Sequence, residues 1–253
     1  MRRFHLIELE DQDWMPAVIR DGVTDYLSAA IRVGNTYGPV TSALANALLT
    51  SGEERVIDLC AGGGGPWQTL LPALRTKGWA GTVTLTDRFP NSKAVERLTT
   101  GVTYYPESVD ALEVPKELSG FRTLFTAFHH FPPAAARALL ADAAAKAAPI
   151  ALFEVTHRSP RYIFAMLFSP LTVMILTPVI RPFSWSRLLF TYLIPLVPLV
   201  VTWDGIVSCL RTYTVAELRS MTMEIPGNHR WDVGEVKGKG LLPLTYLFGL
   251  PQQ

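Results

Sequence analysis

VIDLCAGGGGPWQTLL, residues 56–71, decides the fold. A short apolar run carrying Val56, Ile57 and Leu59 gives way to four consecutive glycines at 62–65, and a helical apolar pattern begins behind Pro66 and Trp67. Glycines between a strand and a helix let the backbone turn tightly and let a ligand come into contact with it, because no Cβ stands in the way. The helix that follows offers free N–H groups and the positive end of its dipole. Downstream the same pattern repeats. The strand-like runs VIDLC, TVTLTD, VTYYP, RTLFTAF and IALFEV are rich in β-branched and aromatic residues, and several are separated by the helical stretches WQTLLPALRTKG, NSKAVERLTTG and PAAARALLADAAAKAA. That alternation predicts a parallel sheet with helices on both faces.

Working outward, Trp14 to Thr50 carries apolar residues at helical spacing broken near Gly34 and Gly38, which predicts an N-terminal helical cover over 1–50 ahead of a core at 51–155. Pro132 and Pro133 stand where a helix would start, a position that does not need their missing N–H. The segment 156–213 differs in composition. Tyr162 to Ile180 and Leu188 to Trp203 are almost uncharged, with Arg181 and Arg187 between them, so an apolar helical insertion is expected there. In the last segment, 214–253, Thr214 and Glu217 have the spacing of a capping box. Trp231 to Val236 and Leu242 to Phe248 read as a closing hairpin through KGKG.

The whole chain bounds the function. It has 253 residues with a formal net charge of +1, which argues against nucleic acid as a partner. Cys60 and Cys209 each lie in apolar sequence with no metal-site or disulfide spacing, which fits a cytoplasmic protein without a metal. At the N-terminus, Glu8, Glu10, Asp11 and Asp13 arrive before any apolar core of a signal peptide develops.

Two cofactor classes use a glycine turn of this kind. The dinucleotide fingerprint G-x-G-x-x-G fails, because its third glycine falls on Trp67 or Gln68. The stretch instead resembles motif I of the class I S-adenosylmethionine (SAM)-dependent methyltransferases, an acid ending the first strand followed by G-x-G. Here these are Asp58, then Ala61, Gly62, Gly63 and Gly64. The resemblance covers roughly 51–155 and the last forty or so residues, and it implies a Rossmann-like, doubly wound α/β fold with a seven-stranded sheet, mostly parallel, whose last strand is antiparallel. It also implies SAM as the cofactor. Asp58, Ala61 and the glycines would surround the methionine part, Asp87 with Arg88 would take the ribose, and Asp110 with Ala111 the adenine. Phe128 and His129 would line the transfer site.

His129 and His130 are the candidate catalytic residues, since a neutral imidazole can take a proton near neutral pH; pocket wall or cofactor contact is the other reading. Glu154, ending the fifth run, faces the same edge. Trp67 reads as a packing residue, and Tyr26, Arg32 and Tyr37 as residues of the cover. Prolines 170, 178, 195 and 198 interrupt the apolar stretches, so 160–203 is expected to be a lid, a homodimer face or an element lying in a membrane interface rather than a spanning hairpin. The expected activity is methyl transfer to a small hydrophobic or lipid-like acceptor. The alternatives are an NAD(P)-dependent oxidoreductase and a non-catalytic cofactor-binding protein of the membrane surface.

Overall fold

Among the described residues, the five strands read from the sequence form, with helices following the first, fourth and fifth of them. The computed structural model describes residues 1–91, 98–237 and 243–252. In chain order its elements are α1 (Ala17–Gly34), α2 (Thr41–Ser51), β1 (Arg55–Asp58), α3 (Trp67–Arg75), β2 (Thr82–Leu85), β3 (Val102–Tyr104), β4 (Phe121–Phe125) and α4 (Pro133–Ala145). There follow β5 (Ile150–Glu154), α5 (Pro160–Met166), α6 (Ser169–Leu176), α7 (Trp185–Leu188), α8 (Leu196–Arg211), α9 (Val215–Met223), β6 (His229–Lys237) and β7 (Pro243–Pro251). These divide into two units, one made of Met1–Gly34 with Thr156–Tyr213 and the other of Asn35–Val155 with Thr214–Gln253.

The second unit holds the seven-stranded sheet, in the order β3-β2-β1-β4-β5-β7-β6. The first five strands pair in parallel, with Val56 opposite Val83 on one side and Phe121 on the other. β7 runs antiparallel to both neighbours, setting Leu247 beside Leu152 and Val233. β4 and β5 are buried along their whole length. Strands covered on both faces read as continuous apolar runs rather than alternating ones, as Ile150 to Phe153 do in β5, whereas β4 also buries Arg122 against Asp142 and Thr123 against Asp58. Leu44 and Leu48 of α2 and Leu71 and Leu74 of α3 are fully buried in this unit, and each such side chain contributes about 1.5–3 kcal/mol. Pro133 opens α4, and Thr214 and Glu217 complete a reciprocal capping box on α9.

Several boundaries shift. The first strand ends at Asp58 rather than running through VIDLC, because Cys60 already has φ +57°. The hairpin strands are longer than expected, at His229–Lys237 and Pro243–Pro251. Residues 92–97 of NSKAVERLTTG and 238–240 of KGKG lie outside the described residues. The cover expected over 1–50 is divided, since 1–34 belong to the first unit and α2 lies in the second.

In the first unit, α1 turns Ile19, Val23, Tyr26 and Ala29 into a cluster with Val173 of α6 and Val197, Val200 and Val201 of α8. The insertion 156–213 therefore shares its core with the N-terminal helix instead of packing by itself. A Cβ on Gly22 would come within 2.9 Å of Val197, so the glycine lets α1 and α8 approach closely. The guanidinium of Arg187 is buried, donating to the Asp25 carboxylate and to the carbonyls of Ile180 and Pro182. The N-terminal segment is fastened by Asp204, whose carboxylate accepts from the N–H groups of Leu9 (2.7 Å) and Glu10 (3.0 Å). Among the described residues no single helix is long and apolar enough to cross a membrane; two helix pairs that are together apolar enough are bent by 43° (Pro160–Met166 with Ser169–Val179) and 75° (Trp185–Leu193 with Leu196–Arg211).

Candidate functional site

Because the first five strands of the second unit are parallel, their C-terminal ends lie along one edge of the sheet. The order of strands reverses between β1 and β4, and such a reversal opens a crevice outside the carboxyl ends, where ligands bind in open α/β sheets. The glycine turn follows β1 at this point.

Gly62, Gly64 and Gly65 have φ of +50°, +112° and +57°, the left-handed region that a side chain disfavours; Gly63 does not. Gly64 donates to the carbonyl of Ala61 at 2.9 Å, and Ala61 donates to that of Thr86 at 2.9 Å. A Cβ on Gly64 would meet nothing within 4 Å, so that flank of the turn is open to an incoming group. A Cβ on Gly65 would stand 3.1 Å from the Asp58 carboxylate. The fourth glycine, outside the motif read from the sequence, is thus needed where the turn passes over Asp58.

Asp58 is buried, and each of its carboxylate oxygens has a partner. Oδ1 accepts from the Thr123 hydroxyl of β4 at 2.6 Å, and Oδ2 accepts from the Trp67 indole at 2.7 Å. Burial pushes its carboxyl up to about 7 against the pull of those two hydrogen bonds, with the Asp87 charge adding to the rise. The acid therefore ties β1, β4 and the start of α3 together beneath the glycines. Trp67 packs as expected, its ring edge-on to Phe125 at 5.6 Å, but its N–H is the part that fixes the turn.

Asp87 follows β2 and reaches across to the turn. Its Oδ2 accepts from Gly62 N–H at 2.8 Å and its Oδ1 from Phe89 N–H at 2.8 Å. A carboxylate only accepts, a chemistry that suits donors such as a pair of hydroxyls. On the other side the Tyr104 hydroxyl donates to the Gly62 carbonyl at 3.0 Å, and burial together with Asp87 holds that phenol above its ordinary value. Arg88 is exposed, its guanidinium 5.5 Å over the Phe89 ring. Asp110 is exposed beyond β3 and accepts from Leu112 N–H at 2.9 Å; Ala111 beside it is buried.

After β4 a 3-10 turn at Phe128–His130 buries Phe128 and His129. Glu154, at the end of the neighbouring β5, accepts from the His129 backbone N–H at 3.1 Å, and its Oε2 lies 2.9 Å from the ring Nδ1. His130 is half-buried with its ring 4.4 Å from that of His129. Tyr37 belongs to this unit's core, its hydroxyl paired with Thr126 and its ring edge-on to Phe125 at 4.8 Å. Tyr26 belongs to the core of the other unit, bonded to Thr172 at 2.6 Å.

Thr123, Tyr104 and Gly65 are site residues that sequence reasoning did not find. Thr123 and Tyr104 act from other strands, and their partners follow only from strand register.

No protein-family model and no curated protein sequence matches the chain. Solved structures do. The plantazolicin methyltransferase BpumL, in complex with SAH, matches with a TM-score of 0.53 at 9% identity over 93% of this chain and 96% of that one. Human N-acetylserotonin methyltransferase, in complex with SAM, matches with a TM-score of 0.53 at 12% identity over 96% of this chain. This chain spans 60% of the human enzyme's. At such identities the likeness is one of fold: the seven-stranded Rossmann-like sheet is the one these methyltransferases have.

Proposed function

We propose that the chain is a SAM-dependent methyltransferase that moves a methyl group in line to a small hydrophobic or lipid-like acceptor. The observation that carries this reading is the fastening of Gly62 N–H to the Asp87 carboxylate at 2.8 Å. A left-handed glycine turn and an acidic side chain are held side by side at the switch point, one suited to an amino-acid moiety and the other to a ribose. The fold shared with the two methyltransferases supports the same reading.

The cofactor supplies a methyl group already activated on a sulfonium, so the protein's task is to position and exclude water rather than to activate the donor. Ala61 and Gly62, Gly63 and Gly64 would surround the methionine part with backbone. Asp87 would accept from the ribose hydroxyls beside Arg88, and Asp110 with Ala111 would take the adenine. Asp58 acts beneath the turn and keeps its shape. With the Glu154 carboxylate accepting from Nδ1, Nε2 is the ring nitrogen left to take a proton from a hydroxyl or amine acceptor. Phe128 forms apolar wall, and His130 stacks on His129. The acid-free, apolar composition of 160–203 supports a greasy acceptor, and the free thiols of Cys60 and Cys209 suit the cytoplasm.

Equilibrium dialysis of the full chain with SAM, SAH, NAD and NADP tests this. Uptake of SAM and SAH without the dinucleotides is expected, and the reverse pattern would establish the oxidoreductase reading. That alternative is disfavoured by Trp67, whose buried indole stands where a dinucleotide fingerprint needs its third glycine. Uptake of SAM with no transfer across a broad set of acceptors would favour the non-catalytic reading.

A further inference from the structure

We propose that the outer face of the apolar helices of the first unit, within residues 160–203, seats in the interface of an anionic lipid bilayer. The proposal rests on that unit alone and does not depend on the cofactor reading.

These helices are apolar on both sides. Inward, Val173, Val197, Val200 and Val201 pack against α1. Outward, Phe164, Leu171, Ile175, Trp185, Leu193 and Leu199 are each between 58% and 77% exposed. A helix that faces water carries polar residues on its outer side, and one apolar all round needs an apolar neighbour on every side. Exposed apolar surface on this scale marks a site of association.

Charge identifies the neighbour. From Thr156 to Trp203 the sequence contains no Asp or Glu and four arginines, Arg158, Arg161, Arg181 and Arg187. Arg187 is buried against Asp25, whereas Arg161 and Arg181 are exposed. A second copy docking through the same face would set these arginines against their own images with no acid in the segment to pair them, since a two-fold contact brings one patch onto itself. Anionic headgroups supply the missing charge. Trp185, four residues beyond Arg181, and Tyr192 and Trp203 are also exposed, and their amphipathic rings suit the headgroup level.

Geometry sets the depth. The eight residues of α6 rise about 12 Å and the sixteen of α8 about 24 Å, less than the roughly 30 Å of a hydrocarbon core. Bends of 43° and 75° keep each pair from forming one straight span. The breaks leave backbone groups outside regular helix, which the hydrocarbon does not tolerate against lipid and the wet interface does. The helices therefore lie shallow.

Flotation of the full chain with vesicles of phosphatidylcholine, alone or containing phosphatidylserine, tests this. The chain is expected to float with both and about thirtyfold tighter with the anionic vesicles, two exposed arginines contributing about 1 kcal/mol each. Arg161→Glu with Arg181→Glu should abolish that preference. Leu171→Asp with Ile175→Asp should abolish flotation while the circular dichroism and melting temperature are kept. Leu193→Asp, 76% exposed, is the second variant should the first pair lose its fold. Failure of the wild type to float, or flotation of a folded Leu193→Asp variant as strong as wild type, overturns the proposal. So does light scattering that finds a wild-type dimer split by Leu193→Asp while vesicles stay unbound; a second copy then covers the face.

Discussion

Glu154 holds His129 at two points, its backbone N–H at 3.1 Å and its ring Nδ1 at 2.9 Å, from the end of the adjacent strand. Both the backbone and the ring of His129 are thereby held by one carboxylate, a geometry that favours the Nδ1–H tautomer. Nitrogen-15 NMR of the neutral ring should find the proton on Nδ1, and Glu154→Leu should remove that preference. If a hydroxyl or amine is the acceptor, His129→Ala should lower turnover by about 100-fold or more with SAM affinity nearly unchanged, the usual worth of a general base.

Asp87 and Asp110 are predicted to differ in what their loss does. Asp87→Ala removes a charged acceptor and also frees the Gly62 N–H that shapes the turn, so SAM affinity should fall about 100-fold by calorimetric titration, in line with about 1.5–3 kcal/mol for hydrogen bonds to charge. Asp110→Ala should cost about tenfold, and its melting temperature should stay at the wild-type value because the side chain is exposed.

Asp58 links stability to pH. Burial disfavours the charge and pushes its folded carboxyl up to about 7, well above the ordinary carboxylate range. The folded state thus binds the proton more tightly, and this group's contribution is complete below about pH 4 and is lost as pH rises through about 7. Asp58→Asn mimics the neutral form, its oxygen accepting from Trp67 and its amide donating to Thr123. The variant's unfolding free energy relative to wild type should climb from pH 4 to 7 and then level off, by an amount on the order of a few kcal/mol at most. A difference that stays flat across that range would refute the assignment.

Arg187 is the buried cation of the first unit. Arg187→Met leaves the Asp25 carboxylate buried with its guanidinium gone and deprives the Ile180 and Pro182 carbonyls of a donor. Urea unfolding should report a loss of about 3–5 kcal/mol, and adding Asp25→Asn should recover part of it.

What the sequence made legible was local. The glycine turn, the proline that opens α4 and the capping box of Thr214 and Glu217 each declare themselves within a few residues, and each formed. The alternation of periods sufficed for the sheet. What it hid was distant. The Asp58 carboxylate and the Thr123 hydroxyl are 65 residues apart, and only the pairing of β1 with β4 makes them neighbours. The division at Gly34 was hidden for the same reason: the break in helical spacing there marks only the end of a helix, and what assigns α1 and α2 to different units is that their buried faces meet different partners. Which of four glycines needs a left-handed backbone also depends on what passes beneath, as Gly65 over Asp58 illustrates.

The core of the first unit joins the two ends of a long excursion of the chain, for α1 packs on α6 and α8 although all of β1 to β5 is written in between. On the ribosome, Ile19, Val23 and Tyr26 therefore emerge well before the valines that will cover them. For that interval the nascent N-terminus carries an uncovered apolar stripe, the kind of surface that chaperones guard and that aggregates when they do not. Trimming the first 34 residues as a dispensable leader would make that exposure permanent on the other side, leaving Val197 and Val201 with no helix to meet.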